Sequence, residues 1–202
     1  MTGLRATIIE RWPRALPWLI VPILAGLLPA LPLAAGSLSL LLALHFPVYM
    51  VHQIEEHLWP GGFRTYVNRE IFHSPDPEAP ASAEAIAFVN IVLVLIPLML
   101  GAIPRQLQPG FVWIGLVMLA VSLVNSLAHT GLAIVRRQRN PGLVSAIFLL
   151  LPFSLWGLHV ASQRLALGWP QYALLMLAAL ALHGLVAALI AAPWRHTRHA
   201  GP

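Results

Sequence analysis

Residues 38–58 read LSLLLALHFPVYMVHQIEEHL. From Leu38 to Val51 this stretch carries one histidine and no formal charge, which is typical of a membrane-spanning helix. The remainder of the stretch contains four ionisable side chains, His52, Glu55, Glu56 and His57. A single charged side chain near the bilayer centre costs about 2.5 to 3.5 kcal/mol, so the two adjacent glutamates require protonation, pairing or a bound cation. The stretch therefore predicts a spanning helix that carries a functional site.

The composition of the whole chain is that of a polytopic membrane protein. Of 202 residues, 58% are hydrophobic and 9% are charged, and the mean hydropathy is +0.77. We expect one transmembrane domain, residues 1–202. Cysteine is absent, which excludes disulfides and thiolate chemistry. The basic residues are all arginines that separate apolar segments, so we expect the lipid bilayer as a partner and no nucleic acid.

Apolar stretches of about 20 residues predict an all-α bundle of six transmembrane helices. Their approximate bounds are 16–35, 38–58, 82–103, 110–135, 143–163 and 172–192. The first stretch contains four prolines, which predict a kinked or broken helix. One loop is long, residues 60–81, and its aromatic and arginine side chains suit a segment that lies over the helix ends. We interpret it as a lid, with an ordinary connecting loop as the alternative.

The distribution of arginines predicts the orientation of the bundle. Only Arg105 and Arg164 fall on one side of the six predicted spans. The other side receives ten arginines: Arg5, Arg11, Arg14, Arg64, Arg69, Arg136, Arg137, Arg139, Arg195 and Arg198. By the positive-inside rule, both termini and the 60–81 loop are cytoplasmic.

Helix periodicity and depth select the candidate site residues. At about 100° per residue, His52, Glu55 and Glu56 occupy one arc of a helix. Asn125 and His129 share a face of the fourth predicted span, because they are four residues apart. In the predicted topology these two residues, together with Asn90 of the third span, lie at the same cytoplasmic depth as the His52–Glu56 run. We therefore expect the three groups to converge.

Other polar side chains fit this site less well. His57 points away from the arc and is expected at the membrane interface. Glu84 is expected to be a first-turn acid favoured by the helix dipole. His159 lies towards the outer end of its span, and His183 remains a candidate near mid-membrane.

The residue types favour a metal site. His52, Glu56 and His129 would supply two nitrogens and one carboxylate, a ligand set that suits zinc or iron. Glu55 is then available to bind a second metal or to act as the general base on a metal-activated water. Asn125 and Asn90 would orient the ligands or polarise a substrate carbonyl. The alternative is a buried polar network that holds the helices together.

The motif resembles that of the HXXEE-domain family of small bacterial integral membrane proteins. The resemblance is carried by His52, Glu55 and Glu56, by the following Trp59-Pro60-Gly61-Gly62, and by the pair Asn125 and His129. It covers most of the chain and implies a location in the bacterial inner membrane. It supports treating the five polar residues as a unit and implies no particular reaction.

The leading functional hypothesis is a metal-dependent membrane enzyme that hydrolyses a lipidic or other apolar small molecule in the cytoplasmic half of the bilayer. A non-haem iron oxygenase or desaturase would use the same ligands. A proton- or cation-coupled transporter is a third hypothesis. Transporters are commonly built from internal repeats, which this sequence lacks, although a homodimer would supply one. An assembly or chaperone subunit is the last alternative.

Overall fold

The computed structural model describes residues 2–30, 37–103 and 107–192, and all regular elements within these ranges are helical. The prediction of an all-α fold is therefore confirmed. The helices are α1 (Thr2–Leu27), α2 (Leu38–His57), α3 (Phe63–Tyr66), α4 (Ala83–Gly101), α5 (Phe111–Arg136), α6 (Leu143–Leu165) and α7 (Trp169–Ala191).

Four of these helices, α4 to α7, are long and apolar enough to cross a membrane. For the described residues, the prediction of six spans is therefore wrong. The helix α1 is not apolar enough to cross a membrane, because Glu10, Arg11 and Arg14 lie inside it. The helix α2 has sufficient length, but its C-terminal half carries the ionisable cluster, which lowers its hydropathy. The composition of the four remaining helices still indicates a membrane protein.

The helix α1 also differs from its predicted bounds. It begins at Thr2, continues through Pro13, Pro17 and Pro22, and is followed by a 3-10 turn at Leu28–Ala30. Proline is tolerated inside such a helix when neighbouring groups satisfy the freed carbonyls. The end of the first predicted span lies outside the described residues, as do Arg105, Arg195 and Arg198. The orientation of the bundle stays a prediction.

The helix α5 lies at the centre of the bundle and contacts α2, α4, α6 and α7. Leu116, Met118 and Leu119 on this helix are almost fully buried. A side chain on Gly101 of α4 would place its Cβ 2.5 Å from the Cα of Gly115, so the two glycines allow α4 and α5 to approach closely. This packing positions the polar second half of α5 against α2.

Three helical segments contain wider π turns: Val67–Ile71 after α3, Val89–Leu95 within α4, and Ala146–Leu150 within α6. Each π turn accommodates more residues than an α turn and so changes which side chains face the neighbouring helices. Asn90 lies in the π segment of α4. Its position therefore departs from the regular helical geometry assumed for it from sequence.

The 60–81 loop folds around one buried side chain, Asn68. Its Nδ2 donates to the carbonyl oxygens of Pro77 at 2.9 Å and Ala81 at 3.1 Å, and its Oδ1 accepts from the Ala81 amide at 2.8 Å. Arg64 and Glu78 form an ion pair at 2.7 Å across the same loop. These contacts tie the two ends of the loop together. Whether the loop opens as a lid remains a prediction.

Candidate metal centre

Two helices bring three metal-ligand side chains together. His52 and Glu56 lie one turn apart on α2, and His129 faces them from α5. The Oε1 atom of Glu56 is 3.6 Å from Nε2 of His52 and 3.2 Å from Nε2 of His129. All three side chains are buried, and one donor atom of each lies within 4.8 Å of the others. The group could hold a metal ion, as predicted from the sequence.

The second ring nitrogen of His52 is fixed by a hydroxyl group. Nδ1 of His52 lies 2.9 Å from Oγ of Ser145, at the start of α6. The single hydroxyl proton of Ser145 has two acceptors within reach, Oε2 of Glu55 at 2.5 Å and the carbonyl oxygen of Gly142 at 3.2 Å. Neither acceptor can donate a proton back, so Oγ must accept from Nδ1–H of His52. The tautomer that results leaves the Nε2 lone pair directed at the centre.

His129 is fixed in the same way from the loop between α5 and α6. Its Nδ1 lies 2.5 Å from Oδ1 of Asn140, whose Nδ2 donates to the backbone carbonyl of His129 at 2.9 Å. Because the Asn140 nitrogen is engaged by a carbonyl, the oxygen faces the ring and Nδ1 of His129 carries the proton. Both histidines therefore direct Nε2 towards Glu56, with Nδ1 engaged by another partner. Histidines that bind metals usually donate their other ring N–H to an oxygen acceptor in this way.

Glu55 faces the start of α6 and is not one of the three grouped donors. Its Oε1 accepts from the backbone amide of Val144 at 3.0 Å, and its Oε2 accepts from the amide of Ser145 at 2.6 Å. Free amide groups at a helix N-terminus favour a negative charge. The structure thus gives this carboxylate a helix-capping position in which both oxygens already have donors, and a link to His52 through Ser145.

The two predicted asparagines lie at different distances from the centre. Asn125 contacts it directly, because its Nδ2 is 2.9 Å from Nε2 of His52. A metal ion on that nitrogen would replace this hydrogen bond. Asn90 is buried and donates from Nδ2 to the carbonyl of Ile86 in its own helix at 2.9 Å. Asn90 reaches the centre only through a cavity that it shares with Glu56 and Asn125.

Comparison with known proteins identifies the family. A family model described as "Protein of unknown function with HXXEE motif" matches residues 43–157. The chain belongs to the HXXEE family. No curated protein and no solved structure matches it. The matched region contains the three grouped donors together with Glu55, Asn125, Asn140 and Ser145, so the HXXEE model covers the complete centre.

A glycine closes the HXXEE centre from the loop side. Gly142 has a φ of +89°, and a Cβ at this position would lie 2.7 Å from Cε1 of His52, 2.8 Å from Cγ of Glu56 and 3.0 Å from Cε1 of His129. Any side chain would therefore strain the backbone and collide with all three grouped residues. Gly142 allows the loop backbone to pack directly on the centre and limits the access of water from that side.

Sequence reasoning missed the residues that the α5–α6 connection contributes, Asn140, Gly142 and Ser145. One signal was present: Asn140-Pro141-Gly142 combines three turn-forming residues directly after Arg139. Gln53 was also missed, although it donates from Nε2 to Oε2 of Glu56 at 3.0 Å. Its position inside the motif, directly after His52, was the one indication.

Three further histidines considered from the sequence, His57, His159 and His183, lie in different environments. His57 is not at an open interface, because its ring packs against Trp12 and Phe63 and its Nε2 lies 3.7 Å from Oε2 of Glu56. Its expected position at the membrane interface stays a prediction. His183 lines the cavity beside Asn90. His159 is exposed on α6.

Proposed function

We propose that this HXXEE-family protein is a metal-dependent membrane enzyme whose centre is formed by His52, Glu56 and His129. The observation that carries the proposal is the convergence of two imidazole Nε2 atoms and one carboxylate oxygen inside 4.8 Å, with both Nδ1 protons assigned to other partners. Two nitrogens and one oxygen suit zinc or iron. A polar network that served only to hold the helices together would not need both imidazoles fixed through Nδ1 with Nε2 directed at one carboxylate.

Hydrolysis is the chemistry that we propose for the centre. A divalent cation bound there would activate water and polarise a carbonyl group. Ser145 and Asn140 hold the two imidazoles in orientation, and the buried position of all three donors restricts competing water. Glu55 acts in this proposal as a positioning residue, since both its oxygens are engaged by α6. In this proposal Asn125 contacts the substrate on the side of the centre that faces the cavity shared with Glu56.

The cellular setting of the proposal is the cytoplasmic half of the bacterial inner membrane. Arg136 ends the helix that carries His129, and Arg137 and Arg139 follow it, which supports a cytoplasmic position for this end of the bundle. The substrate is an apolar small molecule that enters from the bilayer. Val94, Val121 and Val186 line the cavity next to the centre and support an apolar substrate.

Metal analysis of the full chain, purified in a mild detergent, tests the proposal. We expect about one zinc or iron ion per chain and metal-dependent hydrolysis of short apolar esters or amides. Stoichiometric iron with oxygen consumption would replace hydrolysis by oxidation at the same ligands. A protein that binds neither metal, as purified or after reconstitution, would overturn the proposal, and ion flux in vesicles would then favour a transporter.

A further inference from the structure

A groove of about 700 Å³ lies on the outside of the bundle, between the C-terminal half of α2 and the start of α6. Its volume is within the range of sites that hold small organic ligands. One face of each helix forms a wall, and the residues that α2 and α6 contribute are Val51, Ile54 and Glu55, and Val144, Ser145 and Phe148. The shape of the groove is therefore set by how these two helices pack.

The two helices run antiparallel along the groove. The ring of His45 on α2 stacks on the ring of Phe153 on α6, with centroids 5.6 Å apart. Ten positions later on α2, Glu55 accepts from the amide of Val144 at the N-terminus of α6. The last turn of α2 and the first turn of α6 therefore lie at the same end of the groove.

The groove has a polar end and an apolar end. Arg139, which precedes α6, and Trp59, which follows α2, line the first end. Val51 and Phe148 line the other end, farther from these helix termini. Trp59 is 80% exposed and Phe148 is 76% exposed, so both side chains are available to a ligand. This distribution matches an amphiphile, with its charged group at Arg139 and its apolar chain at Phe148.

The charges at the polar end select an anionic partner. Arg139 has no hydrogen-bond or ion-pair partner among the described residues. The acid in the lining, Glu55, already has both oxygens engaged by backbone amides at the start of α6. Arg136 and Arg137 add two positive charges within three positions of Arg139. Clusters of arginine beside a membrane-spanning helix are typical of sites for anionic lipid headgroups.

The position of Arg139 along the chain indicates its level in the bilayer. The helix α6 is long and apolar enough to cross a membrane, and Arg139 lies just before its first residue, Leu143. The end of a spanning helix lies near the lipid headgroups. A guanidinium group at that level binds phosphate with two parallel hydrogen bonds.

We propose that the groove between α2 and α6 binds one anionic phospholipid from the surrounding bilayer. Its phosphate contacts Arg139, and one acyl chain lies along Val51 and Phe148. A flat lipid-facing helix surface would also expose apolar side chains. The concave shape and the unpaired guanidinium are what give this groove a defined partner.

The lipid site is separate from the cavity next to the candidate metal centre. Ser145 lines the groove and contacts Nδ1 of His52, whereas Nε2 of His52 contacts Asn125, which lines that cavity. A lipid in the groove covers the contact between Ser145 and Glu55 and does not meet the grouped donors. The lipid site therefore goes beyond the proposed function and does not require a bound metal.

Native mass spectrometry of the full chain in detergent micelles tests this inference. The probes are dioleoyl phosphatidylglycerol and dioleoyl phosphatidylcholine, which have identical acyl chains and differ in net headgroup charge. We expect one phosphatidylglycerol per chain, bound about fivefold more tightly than phosphatidylcholine, since an arginine near the membrane surface contributes about that factor. Arg139→Gln should remove this preference. Arg69→Gln, the same exchange at an exposed loop position, should leave it unchanged.

A second pair of variants tests the apolar end of the groove. Val51→Trp places a larger side chain in the groove and should weaken the binding of both lipids. Val92→Trp on α4 is the control, because Val51 is 41% exposed and Val92 is 39% exposed, and Val92 does not line the groove. Equal affinities of the wild type for the two lipids, or many bound lipids without a defined stoichiometry, would overturn the site. Equal losses in Arg139→Gln and Arg69→Gln, or unchanged lipid affinity in Val51→Trp, would also overturn it.

Discussion

Ser145 and His52 are 93 positions apart in the chain, yet Oγ of Ser145 lies 2.9 Å from Nδ1 of His52. The same hydroxyl is 2.5 Å from Oε2 of Glu55, which also accepts the amide proton of Ser145. The N-terminus of α6, a carboxylate of the HXXEE motif and a buried imidazole are thus joined in one hydrogen-bonded chain. This chain fixes which nitrogen of His52 is free to bind a cation.

Ser145→Ala should weaken metal binding by about tenfold to a hundredfold, because Nδ1–H of His52 loses its acceptor and the ring its fixed tautomer. Competition with a chelator measures the affinity, and ¹⁵N NMR of the imidazoles reports the tautomer. Ser154→Ala is the control, since Oγ of Ser154 is also buried in α6 but has no hydrogen-bond partner among the described residues. Equal affinities of the two variants would contradict the role of Ser145.

Glu55→Gln should retain metal and lower the free energy of unfolding by about 1 to 2 kcal/mol. An uncharged carboxamide offers one acceptor oxygen where the carboxylate offers two, and the favourable charge at the α6 N-terminus is lost. Thermal unfolding in detergent measures the effect, and a double variant with Ser145→Ala should be less than additive. Unchanged stability together with lost turnover would instead support Glu55 as a general base.

His129→Ala should abolish stoichiometric metal binding, because it removes one of the three grouped donors and leaves Glu56 with a single imidazole nitrogen. Metal content after gel filtration gives the result. His159→Ala provides the comparison, since this histidine is exposed on α6 and should keep the full metal content. Similar metal loss in both variants would point to a general effect on the fold.

Gly142→Ala should severely destabilise the centre, by about 2 kcal/mol or more, because a Cβ meets three side chains at 3.0 Å or less and the backbone has a positive φ. We expect a lower unfolding temperature and reduced metal content. Gly131→Ala on α5 is the matched control, since its Cβ would meet nothing within 4 Å and alanine favours helix. A Gly142→Ala protein with wild-type stability and metal content would show that the loop can move away.

Asn68→Ala should release the 60–81 loop, because it removes the hydrogen bonds that join Asn68 to Pro77 and Ala81. Limited trypsin digestion should then cleave faster at Arg64 and Arg69. If the loop is a lid, zinc bound at the candidate centre should protect these sites in the wild-type protein. Protection that is equal with and without zinc would favour an ordinary connecting loop.

The sequence by itself determined the helical class and the three grouped donors. Apolar periodicity is a local property, so it reports helices without knowledge of their packing. His52 and Glu56 are one turn apart on any helix, and comparison of depth was sufficient to add His129. The count of spans failed at α1 because this helix begins at Thr2 and includes Glu10, Arg11 and Arg14, which lie before the predicted span. It failed at α2 because the ionisable cluster lowers the hydropathy of that helix.

Only the tertiary structure decided what surrounds those donors. Asn140, Gly142 and Ser145 come from a turn whose direction depends on how α6 packs against α2 and α5, and no local pattern encodes that direction. The same packing places Glu55 on the α6 N-terminus, although helix periodicity alone put it on one arc with His52 and Glu56. Hydrogen bonds between residues 90 positions apart in the chain form only after the helices have packed, so the positions of these partners follow from the fold.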